Sequence, residues 1–81
     1  MQLEKTQAVM QERKLEYKYV EEDGCGSIDF EHRGLHYHIW EYPDDAGHAI
    51  GVDTNLFHAG HSDDIEGDYE AVLIEELRKD F

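Results

Sequence analysis

The stretch Ser27-Ile28-Asp29-Phe30-Glu31-His32-Arg33-Gly34-Leu35-His36-Tyr37-His38-Ile39-Trp40-Glu41-Tyr42 alternates in side-chain character with a period of two on either side of an Arg-Gly pair. Successive side chains of a strand point to opposite faces, so this alternation predicts two strands joined by a tight turn, an antiparallel hairpin. Before Arg33-Gly34 the two faces separate cleanly, with Ile28 and Phe30 on one and Asp29 and Glu31 on the other. After it they do not. Leu35, Tyr37 and Ile39 fall on one face, while His36, His38, Trp40 and Tyr42 fall on the other, and either set has area to bury. The histidine-aromatic stripe is therefore either a contact surface or the core itself. Aromatic side chains with a polar tip suit a contact surface, because they bury area and still satisfy a hydrogen bond.

The same periodicities extend the reading in both directions. Upstream, Leu3 to Lys14 has neither Gly nor Pro and is rich in Gln, Glu, Lys and Met, which predicts a short helix with a thin apolar stripe of Leu3, Val9 and Met10. From Leu15 to Val20 the period drops to two, predicting a half-buried strand that reverses at Asp23-Gly24-Cys25-Gly26. Downstream, Pro43-Asp44-Asp45-Ala46-Gly47 is a turn, and Ala49 to Asn55 offers a fourth strand with Ile50 and Val52 inward. The stretch from Phe57 to Ser62 is read as irregular. Ile65, Tyr69, Leu73, Leu77 and Phe81 then recur every four residues, with acids at the front and Arg78 and Lys79 near the end, which predicts a helix from about Asp68 to Lys79. The expected fold is one small α+β domain over residues 1–81. It has an N-terminal helix, an antiparallel meander of three to four strands, and a C-terminal helix packed on the sheet.

Charge narrows the function. Twenty Asp and Glu stand against seven Lys and Arg, a net charge of -13 on 81 residues. Such a polyanion repels a phosphate backbone and an acidic bilayer surface, so neither nucleic acid nor membrane is expected as a partner. A single cysteine, Cys25, rules out an intrachain disulfide and a four-cysteine zinc cluster from one chain. With no apolar leader and no long apolar run, a reducing, cytoplasmic setting is expected. A domain this small gains from association, so a homo-oligomer, in the simplest case a homodimer, is expected.

Six histidines, all between His32 and His61, raise the question of a metal. His58, His61 and Asp63 carry ligand types that suit zinc, though no compact metalloprotease spacing accompanies them and no cofactor is required by any motif. The acidic run Asp63-Asp64-Ile65-Glu66-Gly67-Asp68 resembles a calcium loop only superficially. Placing Gly67 at the sixth position of an EF-hand loop puts Leu73 at the twelfth, where a bidentate Glu is required. Cys25 between two glycines has no assigned base, and Gly24-Cys25-Gly26-Ser27-Ile28-Asp29 lacks the third glycine of a nucleotide loop.

The segments Gly26-Ser27-Ile28-Asp29-Phe30-Glu31-His32-Arg33-Gly34, Tyr37-His38-Ile39-Trp40-Glu41, Ala59-Gly60-His61-Ser62-Asp63-Asp64 and Gly67-Asp68-Tyr69-Glu70 together resemble a group of small uncharacterised bacterial proteins of unknown function. The likeness covers most of the chain and implies no site residues. Kinase activity, a label that some such sequences carry, would need a complete glycine loop, a catalytic Asp-Asn pair and two lobes, all missing here. Three functions from different classes are expected candidates. The first is a non-enzymatic protein–protein interaction domain that self-associates through His36, His38, Trp40 and Tyr42. The second is an acidic regulator that occupies a basic partner protein through Asp29, Glu31, Glu41, Asp44 and Asp45. The third is a metal or small-ligand site at His58, His61 and Asp63.

Overall fold

A computed structural model describes residues 1–58 and 60–81. Its elements are α1 (Glu4–Glu12), β1 (Tyr17–Glu22), β2 (Cys25–His32), β3 (Leu35–Pro43), β4 (Ala49–His58), β5 (His61–Glu66) and α2 (Tyr69–Asp80). The strands form one sheet in the order β1-β2-β3-β4-β5, every neighbouring pair antiparallel. This is the α+β meander expected, with five strands in place of three to four. The additional strand comes from the stretch read as irregular: Phe57 and His58 end β4, and His61 and Ser62 begin β5, while Ala59 lies outside the described residues. In β5 only Ile65 is apolar, so backbone pairing with β4 holds that edge and no hydrophobic alternation announces it.

Backbone conformation places the turns. Asp23 and Gly24, and again Arg33 and Gly34, have positive φ of 51° and 80°, and of 52° and 81°. Two consecutive left-handed residues twist in the sense that antiparallel strands need, so each pair closes a two-residue hairpin. The first turn is therefore shorter than expected, and Cys25 and Gly26 belong to β2. Helix α1 ends where Lys14 adopts φ 59°, and the Leu15 N–H donates to the Met10 carbonyl at 2.9 Å. Ile65, counted with the C-terminal helix from its spacing, sits instead in β5 opposite Val52. Gly67, at φ 80°, separates it from α2, whose first turn is capped by Asp68 accepting from the Ala71 N–H at 3.4 Å.

Both helices feed one core. Met10 of α1 and Leu73 and Leu77 of α2 are fully buried with Ile28, Ile39 and Val52 of the sheet, and Phe30, Val9, Leu3 and Leu56 complete the cluster. The helices are tied directly as well, since the Thr6 N–H and hydroxyl both donate to the Glu70 carboxylate, at 2.9 and 3.2 Å. Near the same end of the core, Glu41 is buried among polar donors. Its carboxylate accepts from the Gly26 N–H at 2.8 Å, from Gln2 Nε2 at 3.0 Å and from the Tyr69 hydroxyl.

That last contact sets an alkaline limit. Desolvation comes first, then the Glu41 hydrogen bond and the charges of Glu41 and Glu70, and together they push the Tyr69 hydroxyl well above its ordinary value of 10.0. A raised folded-state value means that above about pH 10 the unfolded chain releases this proton while the native one keeps it, so stability falls as pH rises. Urea midpoints are expected to decline more steeply beyond about pH 10 than below it, and Tyr69→Phe is expected to flatten that steeper part. An equal slope in the variant would assign the loss to other groups.

Candidate functional site

The two helices cover one face of the sheet, and the period-two rule then fixes the other. In β3, Ile39 and Glu41 are buried while His36 and Trp40 are exposed, so Leu35, Tyr37 and Ile39 belong to the core side and His36, His38, Trp40 and Tyr42 to the open side. Trp40 is 43% exposed. Glu41 leaves the set of acids available to a basic partner, because alternation turns it inward and 8% of it meets solvent.

Each aromatic tip on the open face is held by a carboxylate from another strand. Trp40 Nε1 donates to Asp29 Oδ1 of β2 at 3.1 Å, and the Tyr42 hydroxyl donates to Glu66 Oε2 of β5 at 3.0 Å. His38 Nε2 lies 3.0 Å from Asp53 Oδ1 of β4, and its ring leans on Trp40 with centroids 4.3 Å apart. Tyr42 reaches β5 by crossing Gly51. A Cβ at that position would lie 2.6 Å from the Tyr42 hydroxyl and 2.7 Å from the Ile65 carbonyl, so the contact needs glycine there. His36 faces Glu31 at 3.8 Å, in full solvent.

Between β3 and β4 the backbone ladder runs from Pro43 back to Ile39 and stops. Side chains continue it: Asn55 Oδ1 accepts from the His38 N–H and Asn55 Nδ2 donates to the His36 carbonyl, both at 2.9 Å, while Thr54 Oγ1 donates to the His38 carbonyl at 2.6 Å. Asp53, Asn55, Gly51 and Glu66 therefore matter to this face, and reading single strands does not find them. The register does, since it sets Trp40 opposite Asp53 and Tyr42 opposite Gly51.

Electrostatically the face is one-sided. Asp29, Glu31, Asp53, Asp64 and Glu66 project from it against Lys18, which stands opposite Asp29 in the ladder. Asp53 and Asp64 stand directly opposite one another, an arrangement that costs free energy in a sheet. Tyr42 registers this field: desolvation, the Glu66 hydrogen bond and the charges of Glu66, Asp64 and Asp53 push its hydroxyl up. Asp44 and Asp45 lie apart in the β3–β4 turn, where Asp44 Oδ1 accepts from the Ala46 and His48 N–H groups at 2.9 Å.

A second cluster forms where β4 and β5 are joined. His58 Nδ1 is 2.9 Å from Asp63 Oδ2, and His61 Nε2 is 3.4 Å from Asp63 Oδ1. The His58 hydrogen bond, ahead of an opposing desolvation and the charges of His58 and His61, holds the Asp63 carboxyl below its ordinary range.

Nucleophilic chemistry finds no support among the described residues. Desolvation and the charges of Glu41 and Asp23 push the Cys25 thiol up, which suppresses the reactive thiolate. Ser62, His38 and Asp53 approach one another, but Ser62 Oγ, at 3.4 Å, and Asp53 Oδ1, at 3.0 Å, address the same nitrogen, Nε2. A catalytic triad needs the acid on one ring nitrogen and the nucleophile on the other. No described helix is long and apolar enough to cross a membrane. Comparison with protein-family models, with curated proteins and with solved structures finds no match.

Proposed function

We propose that this chain is a non-enzymatic protein-interaction domain that offers its open sheet face to a basic segment of a partner protein, in the cytoplasm, where the Cys25 thiol stays reduced. The observation that carries this reading is the aromatic stripe His38, Trp40 and Tyr42 set among Asp29, Asp53, Asp64 and Glu66 on the sheet face opposite α1 and α2. An arginine suits it chemically, because a guanidinium stacks on an indole and pairs with carboxylates in the plane. It would also relieve the Asp53–Asp64 repulsion. Self-association through the same residues is weaker on charge grounds: two copies would meet acid against acid, and like-charge juxtaposition costs several kcal/mol.

Trp40 is the single tryptophan of the chain, so its fluorescence reports on this face directly. Titration with an oligo-arginine peptide is expected to change that emission, and the affinity should drop steeply with added salt as screening lengths shorten. Because a well-packed interface aromatic contributes about 2 kcal/mol or more, Trp40→Ala, followed by calorimetry, is expected to weaken binding about thirtyfold. Asp53→Asn with Asp64→Asn should weaken it too, whereas Asp44→Asn with Asp45→Asn, which removes the same charge elsewhere, should not. Equal losses in both double variants would reduce the effect to diffuse attraction. A dimer in native mass spectra that Trp40→Ala dissociates would give the face to a second copy.

A further inference from the structure

We propose that the β4–β5 hairpin is a binding site for one zinc ion, held by His58 Nδ1, His61 Nε2 and one oxygen of Asp63, with the fourth position left to solvent. The proposal is independent of the open-face reading.

Three ligand atoms are brought together by strand geometry. His58 and His61 are opposite each other in the ladder, and Asp63, two residues beyond His61 on the same strand, points to the same side. The three donor atoms lie within 4.8 Å of one another. Around zinc, bonds of about 2.0–2.1 Å to nitrogen and oxygen in a tetrahedron put neighbouring donors about 3.3–3.5 Å apart. The separations of 2.9 Å from Asp63 Oδ2 to His58 Nδ1 and of 3.4 Å from Asp63 Oδ1 to His61 Nε2 lie just below and within that spacing, so the carboxylate has to rotate to present one oxygen to an ion between the two rings.

The donor set selects the ion. Two imidazole nitrogens and one carboxylate oxygen favour zinc and its borderline neighbours over calcium or magnesium, which require oxygen ligands. Without an ion, the two rings share one carboxylate and stack edge to face, with centroids 5.5 Å apart. A dipositive ion satisfies both rings at once and places positive charge on an acidic edge strand. With three protein ligands on paired strands, it would also fasten β5 to β4 at the end where the register between Thr54 and His58 is irregular.

The test uses the whole untagged chain with zinc chloride and, in parallel, cobalt(II). Calorimetry is expected to give one equivalent of zinc, with weaker binding at lower pH because protons compete for the imidazole nitrogens. Cobalt(II) should give the intense visible bands of a tetrahedral site. In NMR, the ring protons of His58 and His61 should shift while those of His36 and His48 stay, a readout that needs no variant. Asp63→Asn and His61→Ala are each expected to weaken binding tenfold or more, and His48→Ala to leave it unchanged. Zinc should raise Tm in the wild type and in Trp40→Ala alike, which separates this site from the open face. No stoichiometric binding, weak octahedral cobalt bands, or shifts spread evenly over all the histidines would overturn the proposal.

Discussion

Glu41→Ala is expected to leave the chain largely unfolded at room temperature, read as lost near-ultraviolet dichroism and an early urea midpoint. Removing the carboxylate strands the buried Gly26 N–H and takes the partner from the half-buried Tyr69 hydroxyl and from Gln2 Nε2 at the margin. A buried donor without a partner costs about 1–3 kcal/mol, and with the two further bonds lost beside it the sum approaches the roughly 3–5 kcal/mol that a single small core supplies. Glu41→Gln separates charge from connectivity. Its amide oxygen can still accept from Gly26 and Gln2, and its amide nitrogen can donate to the Tyr69 oxygen. It should therefore stay folded with a partial loss. If Glu41→Ala proved as stable as Glu41→Gln, water would be entering the site and the network would carry little.

Leu77→Ala is expected to lose about 2–5 kcal/mol, the range for removing a buried leucine from a core that cannot close around the gap. Leu77 has no exposed area and sits one turn from Leu73, equally buried, on the face of α2 that meets the sheet. With so small a total stability, this variant should bind a hydrophobic dye and show a broadened thermal transition. Val72 offers the control. It lies on the same helix but is 40% exposed, so Val72→Ala should stay within about 0.5 kcal/mol of wild type. Equal effects at the two positions would mean that α2 docks through a different face.

The helix α2 was legible because Tyr69, Leu73, Leu77 and Phe81 repeat at helical spacing, and that repeat exists only because one face is buried. The hairpins were legible because Asp23-Gly24 and Arg33-Gly34 interrupt alternating runs and take the positive φ that such turns require. The strand β5 was not, because His61-Ser62-Asp63-Asp64 carries no alternating apolar signal and is held by backbone bonds that look alike for every residue. Ile65 misled for a related reason: four residues before Tyr69 it fits the helical period, and only the Gly67 reversal assigns it to the sheet.

The sequence alone determined the fold class, the order of most elements and the acidic surface, because local periodicity, turn chemistry and charge are properties of neighbours along the chain. It also singled out His36, His38, Trp40, Tyr42, His58, His61 and Asp63 by type. Which face of β3 meets solvent was undetermined, since both of its stripes have area to bury. Only the tertiary structure decided it, by laying α1 and α2 on the Tyr37–Ile39 side. The same packing turned Glu41 inward, set Asp53 against Asp64, and gathered His58, His61 and Asp63 into one cluster. These are relations between residues far apart in sequence or across a ladder. They follow from register and from which surface the helices bury, and neither is encoded in any single segment.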